Sequence, residues 1–249
     1  MPSLDGLCLN TEGELFSWGK GSRGQLGHDR VEAEAHTAYP ITKAIVDTHP
    51  KPVYAALGRI SQIASGMIHS AALEKETNHV YVWGKNILPL PASSGENTSK
   101  SKIALDARFP VRLQGLPEHC AVIQVACGSH HTSVLLDDGS VWAVGVATDT
   151  QLPVHTPVCL IAPGVLNVDD IVQFAAHMDR TTVVTGCQND NQRQEVYQVQ
   201  LWAEPENQTV AVFTPEWVDG LLTQHPKLKI REVHRSWLHT IIVAEEDEG

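Results

Sequence analysis

The sequence lacks long apolar runs and has little positive charge. No uninterrupted apolar stretch reaches the about 20 residues that a membrane helix needs. The amino terminus has no basic segment followed by an apolar one, as a secretory signal would. Lys and Arg number 18 against 29 Asp and Glu, a formal net charge of −11, so the average field repels phosphate backbones and anionic lipids. We therefore expect a cytoplasmic or nuclear protein that binds neither nucleic acid nor membrane.

Recognisable site chemistry is also missing. The five cysteines are odd in number and form no C-x-x-C pair, so neither a disulfide framework nor a structural zinc site is indicated. The sequence contains no P-loop, no G-x-S-x-G and no H-E-x-x-H. The acidic pairs at 137–138 and 169–170 are explained by turn chemistry. We expect a protein that is not an enzyme, with no catalytic residue, no cofactor and no metal.

One short phrase occurs four times in the chain. It begins with Gln or Glu, continues with small or aliphatic residues, and in three copies ends in His followed by Ser or Thr; the copies are residues 62–70, 124–132, 173–181 and 232–240. The third copy has Arg180 in place of the His. Self-similarity at about 50 to 60 residues indicates a solenoid, a propeller or an array of repeats.

Each repeat predicts four β-strands. The phrase itself forms the first strand, and a short β-branched or aliphatic run after it forms the second. A tight turn then leads to a third strand, which ends in Trp-Gly in the best copies, and a strand headed by or containing proline completes the unit. Because proline cannot donate to a ladder, we expect the fourth strand at a sheet edge; its copies lie at 52–57, 110–113, 157–160 and 213–218. Residues 29–50 and 86–108 are predicted to be loops.

These motifs resemble the regulator of chromosome condensation repeat. The first unit is the best copy, with Thr11 to Gly19 followed by Gly-Gln-Leu-Gly-His at 24–28. The resemblance implies an all-β propeller of four-stranded antiparallel blades. Repeats fall at about 4–59, 60–121, 122–170 and 171–229, with a partial repeat at 230–249, in one domain over 1–249. The repeat positions expected to be structural are Trp18, Gly19, Gly66, His69, Trp83, Gly84, Gly128, His131, Gly139 and His239.

The two ends of the repeat series do not match. The first unit begins at its second strand, and the carboxyl end supplies an innermost strand and one more, so the inventory is about four blades with one strand left over. A small closed ring and an open arc of a larger propeller are both compatible with this count. An open arc would leave strand edges unmet and would need a second copy or another chain to cover them.

The function indicated is that of a non-catalytic scaffold for protein–protein interaction, or of a subunit of a large assembly. The resemblance also implies an alternative, guanine nucleotide exchange on a Ran-like small GTPase, as in the founding member of the family. Large aromatic and basic residues near the ragged end and in the second loop are the candidate partner contacts; they are Trp217, Arg235, Trp237, Lys100 and Lys102.

Overall fold

The fold is a series of β-sheets that follow one another along the chain. The computed structural model describes residues 6–21, 23–28, 34–47, 51–85, 107–147, 150, 153–186, 194–201, 216–225, 227–235 and 240–246. The strands are β1 Gly6–Leu9, β2 Leu15–Lys20, β3 Glu34–Ile41, β4 Lys43–Asp47, β5 Val53–Ala56, β6 Ile60–Ser65, β7 His69–Glu74, β8 Val80–Gly84, β9 Ala107–Arg112, β10 Val122–Cys127, β11 His131–Leu136, β12 Val141–Val146, β13 Pro153–Ile161, β14 Ile171–His177, β15 Arg180–Thr185, β16 Val196–Gln200, β17 Leu228–Arg235 and β18 Thr240–Glu246. A 3-10 turn at Val168–Asp170 and helix α1 at Glu216–Gln224 complete the described elements.

Five sheets result from the strand pairing. The first sheet has the order β1-β2-β3; the second, β5-β4-β9-β8-β7-β6; the third, β10-β11-β12-β13; the fourth, β14-β15-β16; and the last, β17-β18. Neighbouring strands are antiparallel, apart from one parallel bridge between β4 and β9. We call β6, β10, β14 and β17 the innermost strands, because they pack on one another in chain order, β6 on β10, β10 on β14 and β14 on β17. The chain thus has the all-β, propeller-type architecture that the repeats predict.

All four innermost strands share a β-bulge. The register shifts between Ile60 and Gln62 in β6, and at the equivalent place in the other three, directly before Gln124, Gln173 and Glu232. A bulge turns the following side chain away from its regular direction. In these strands it sets the direction of the first residue of the repeated phrase.

The core lies between the sheets, where aliphatic side chains from neighbouring sheets interlock. Trp83 in β8 is fully buried, and its indole Nε1 donates a hydrogen bond to the carbonyl of Gln25 at 2.9 Å. That carbonyl belongs to the Gly-Gln-Leu-Gly-His segment, whose Gly27 lies so close to Trp83 that a Cβ would approach the indole nitrogen to 2.9 Å. The segment therefore fastens the first sheet to the second.

Two predictions about the outer strands were wrong. Residues 29–50 are not a loop throughout, since β3 and β4 lie within them. The strand after Pro52 belongs to the edge of the second sheet, not the first, because β4 and β5 form a hairpin that adds to β9. Pro110 in β9 consequently lies inside a sheet, whereas Pro157 in β13 lies at an edge as expected.

The strand predicted at 213–218 was also wrong, because α1 begins at Glu216. Val218 and Leu222 lie four residues apart, and both are buried against the core between the fourth and last sheets. This spacing places two apolar side chains on one face of a helix.

The two ends of the series stay separate in the part of the chain that the structure describes. β17 pairs only with β18, and β1 only with β2. The sheets pack on one another in chain order, β1 against β6, β6 against β10, β10 against β14 and β14 against β17. The described strands therefore form the open arc and not the small closed ring. Within the described residues, no helix has the length and apolar character needed to cross a membrane.

Candidate interaction surfaces

The repeated Gly and His residues build the inner rim of the sheets. A Cβ on Gly66 would lie 2.2 Å from Cε1 of His69, and a Cβ on Gly128 would lie 2.2 Å from Cε1 of His131. Each glycine thus leaves the space that the imidazole of its own repeat occupies. Burial lowers the pKa of His69 to about 3 and that of His131 to about 4. Both rings are neutral in the folded protein and lie inside the molecule.

Backbone hydrogen bonds join the sheets at this rim. The N–H of Met67 donates to the carbonyl of Ser129 at 3.2 Å, and the N–H of Ser129 donates to the carbonyl of Met178 at 2.7 Å. The Nε2 of His131 lies 3.3 Å from the hydroxyl of Thr181 in the next sheet. The rim therefore joins the second sheet to the third and the third sheet to the fourth.

The other predicted repeat positions have similarly local explanations. The indole of Trp18 covers Gly6 on the neighbouring strand, so closely that a Cβ there would clash with the ring. Gly84 and Gly139 have positive φ values of 108° and 79°, which favour glycine. His239 lies outside the described residues.

Glutamines of the repeated phrase connect each innermost strand to the next. The Nε2 of Gln62 donates to the carbonyl of Ile123 at 2.7 Å, and its Oε1 accepts from the N–H of Val125 at 3.2 Å. Gln173 also makes a double contact, here with one residue: its Oε1 accepts from the N–H of Val233 at 2.7 Å, and its Nε2 donates to the carbonyl of Val233 at 3.4 Å. We call these contacts the glutamine clamps.

Gln124 contributes the third clamp, through its Nε2 and the carbonyl of Phe174 at 3.2 Å. The phrase is recognisable in the sequence, but no role was predicted for its first residue. The recurring glutamine was the available signal, since an amide side chain both donates and accepts hydrogen bonds. It can therefore satisfy the N–H and the C=O of a neighbouring strand together. The last copy has Glu232 instead, which is exposed and lies 2.6 Å from the Nε2 of His234.

The last sheet has an uncovered face. Ile241 and Val243 alternate along β18 and are 54% and 44% exposed. The equivalent residues of the third sheet are Ser133 and Leu135, both fully or nearly fully buried, with the Ser133 hydroxyl in contact with Thr181 of the fourth sheet. Val184 of the fourth sheet is likewise buried against the last sheet. Ile241 and Val243 therefore lie where the inner sheets pack on a following sheet.

Comparison with known proteins agrees with this architecture. The family model described as Regulator of chromosome condensation (RCC1) repeat matches residues 12–73 and 94–135, and a second model of the same description matches 122–150. The chain carries RCC1-type repeats. Relatives include RCC1 domain-containing protein 1 of Mus musculus, 32% identical over 59% of this chain and 42% of that protein. The chain thus spans less than half of that relative's length.

Two further matches extend the comparison. Guanine nucleotide exchange factor SRM1 of Saccharomyces cerevisiae is 31% identical over 56% of this chain and 25% of that protein. The solved structure of Kap60 bound to yeast RCC1 (Prp20) superposes with a TM-score of 0.60 at 19% identity, covering 97% of this chain and 52% of that chain. At that identity the superposition shows the shared propeller fold.

The partner contacts expected from the sequence of this RCC1-repeat chain fall mostly outside its described part. Lys100, Lys102 and Trp237 are not among the described residues. Trp217 lies in α1 and Arg235 at the end of β17, and only their backbone is described. The assignment of these five residues to a partner therefore stays a prediction.

A polar cleft of about 620 Å³ opens between the second and third sheets. Its lining includes His79, Arg112 and Cys120. The Cys120 thiol donates to the Asp138 carboxylate at 3.4 Å, and desolvation together with this acceptor raises the pKa of Cys120 to about 11. The thiol is therefore protonated at neutral pH and is a poor nucleophile. Among the described residues, no group of three or more His, Cys, Asp or Glu is placed to hold a metal ion.

Proposed function

We propose that this RCC1-repeat chain is a non-catalytic scaffold that binds a partner protein through the uncovered face of its last sheet. The observation that carries the proposal is the exposure of Ile241 and Val243 at positions that the inner sheets bury. A partner that covers both side chains would remove them from water. Because each side chain is already about half covered, that burial contributes about half of the roughly 1.5 to 3 kcal/mol gained when an exposed aliphatic side chain is fully buried.

The edge of β18 adds a second mode of contact to this face. Within the described residues β18 pairs only with β17, whereas its counterparts β7, β11 and β15 have a strand on each side. A partner strand could bond to the free edge while its side chains cover Ile241 and Val243. The structure of yeast RCC1 (Prp20) bound to Kap60 supports protein binding as a use of this fold. Kap60 is the partner of that protein, and it is not proposed as the partner of this chain.

The experiment compares two double variants of the tagged chain. Ile241→Asp with Val243→Asp places charge on the uncovered face, while Val165→Asp with Val172→Asp makes the same change at valines that are 46% and 38% exposed elsewhere. Partners are recovered from native extract, identified by mass spectrometry and reconstituted with purified protein. We expect the first variant to lose at least tenfold in affinity for the reconstituted partner, and the control to keep it.

Amide hydrogen exchange on the reconstituted complex locates the contact. Protection of residues 240–246 on binding would support the proposal. Unchanged affinity of the Ile241→Asp and Val243→Asp variant, with no protection of β18, would contradict it. Circular dichroism of both variants establishes that they are folded.

The alternative is guanine nucleotide exchange on a Ran-like small GTPase. It is supported by the 31% identity to the exchange factor SRM1 of yeast over 56% of this chain. It predicts that the purified chain accelerates release of a fluorescent guanine nucleotide from such a GTPase. Acceleration that survives the Ile241→Asp and Val243→Asp changes would favour exchange over scaffolding at the last sheet.

A further inference from the structure

We propose that the first sheet binds an extended strand of a partner protein, and that this strand carries a glutamine which clamps β6. The site lies at the opposite end of the sheet series from β18 and is independent of the function proposed above. Its evidence is a position that is filled in every other sheet of the described structure and is open in the first.

The first sheet lacks its innermost strand within the described residues. β1 packs against β6 as β7 packs against β10, and as β15 packs against β17. In those two cases the packing strand, β7 or β15, has an innermost strand on its other side, β6 or β14. β1 is therefore a second strand of its sheet, and its free edge faces the place where an innermost strand lies in the other sheets.

The burial of side chains along β6 also indicates that the neighbouring first sheet lacks its innermost strand. The aliphatic or aromatic residue that follows each clamp position points towards the preceding sheet. Val125, Phe174 and Val233 are buried in this position. Ile63, their equivalent in β6, is only half-buried. Ile63 is less buried because the first sheet, which precedes β6, lacks an innermost strand within the described residues. The sheets that precede β10, β14 and β17 each have one.

Backbone hydrogen bonding identifies the missing group. Ile63 pairs with Ala72 in the register that Val125 has with Val134, so the N–H of Ile63 is directed away from β7. The corresponding N–H groups of Val125 and Val233 each donate to a glutamine of the preceding innermost strand. For Ile63 the described residues supply no such glutamine. Among the described residues, no backbone N–H donates to the carbonyl of Met67 as one does to the carbonyls of Ser129 and Met178.

The occupant can be specified from the three clamps. It is extended along β1, has an amide side chain that donates to a carbonyl of β6 and accepts from Ile63, and has small residues beyond it, because glycines occupy the crowded rim in the second and third sheets. The chain's own last innermost strand does not meet this description. Its clamp residue is Glu232, whose carboxylate accepts hydrogen bonds but does not donate one.

A peptide with the sequence of residues 59–70 is the probe, because it contains one complete clamp phrase. The control peptide differs only by Gln62→Glu. Both are labelled with fluorescein and titrated with the 249-residue chain, and fluorescence anisotropy gives the two dissociation constants. We expect the glutamine peptide to bind at least tenfold more tightly, since the glutamate peptide loses the donor and places a charge beside a carbonyl. The protein is unchanged in this comparison.

Hydrogen exchange then locates the bound peptide. We expect the amides of β1 and Ile63 to become protected by the glutamine peptide and those of β18 to be unaffected. The chain variant Ile63→Asp should weaken binding, while Ile123→Asp, at an exposed aliphatic residue of β10, should not. Equal affinities of the two peptides, absence of binding, or protection at β18 instead of β1 would each overturn the proposal. Sedimentation of the free chain as a dimer that the peptide dissociates would identify a second copy as the occupant and would overturn the assignment to a partner.

Discussion

The third sheet and the last sheet have the same repeat phrase but different surroundings. Every residue of β11 is buried, whereas β18 is exposed at Ile241 and Val243. Among the described sheets, the third has a neighbour on each side and the last has one. The repeat therefore encodes a sheet whose two faces both need covering. The uncovered end is therefore the place where this chain differs from the interior of its own fold.

The largest expected effect is on an interior anchor. Trp83→Ala removes a fully buried indole and its hydrogen bond to Gln25, and should lower the free energy of unfolding by about 3 to 5 kcal/mol. Trp142→Ala, at a half-buried tryptophan bonded to Ser140 within its own sheet, should cost less. Urea unfolding followed by circular dichroism measures both. Equal losses would mean that attachment of the first sheet contributes little.

The second effect in order of size is that of acid, which should lower the free energy of unfolding through the two rim histidines. Because the pKa of His69 is lowered to about 3 and that of His131 to about 4, the unfolded chain binds more protons than the folded one below pH 6.5. Stability from these neutral rings is complete above that pH and is lost as the pH falls from about 6.5 towards 4.

Replacement of His131 tests how the free energy of unfolding depends on pH. His131→Asn should flatten the fall in unfolding free energy between pH 6.5 and 4.5, by up to about 3 kcal/mol over the full window. Ile45→Val, a core change without a titrating group, should shift the curve without changing its slope. An unchanged slope in His131→Asn would show that this ring is not kept neutral by burial.

The glutamine clamps distinguish interior from end directly. Gln62→Glu removes the donor to Ile123 and should destabilise the chain by about 1 to 3 kcal/mol. Glu232→Gln makes the reverse change at the exposed clamp position of the last sheet, where no following strand is described, and should change stability by less than about 0.5 kcal/mol. Similar effects at both positions would remove the distinction between interior and end.

A modest effect of the opposite sign is expected in α1. Gly220 lies in the helix, and a Cβ there would meet nothing within 4 Å. Gly220→Ala should therefore stabilise the chain by up to about 1 kcal/mol through helix propensity. Gly128→Ala is the interior counterpart and should destabilise, because its Cβ would lie 2.8 Å from the carbonyl of Met178. Thermal unfolding resolves changes of opposite sign.

The strands of the repeated phrase were predictable because their pattern is local. Alternation, turn glycines and the aliphatic or β-branched runs after His69 and His131 are properties of short segments. The hairpin of β4 and β5 was not predictable in the same way, since its attachment to β9 rests on a single parallel bridge between Ile45 and Val111. Helix α1 was missed although Val218 and Leu222 carried a helical spacing.

The residues of the candidate surfaces were likewise predictable only where their role depends on local sequence. Gln62, Gln124 and Gln173 stood at the head of each phrase, but their role depends on a strand about 60 residues further along the chain. The bulge that aims them is a feature of strand pairing and leaves no residue signature of its own. Aromatic and basic residues were chosen as partner contacts from composition, which does not say which face of a sheet is covered.

The repeat and most of its β-strands are written in the amino-acid sequence, because periodic small, aliphatic and turn residues act over distances of a few residues. The pairing of strands, the separation of the two ends among the described strands, and the exposure of particular aliphatic side chains depend on the folded chain. Burial and backbone pairing depend on neighbours distant in sequence, so the strand after the repeated phrase is buried at 131–136, where a described sheet follows, and largely exposed at 240–246, where none is described.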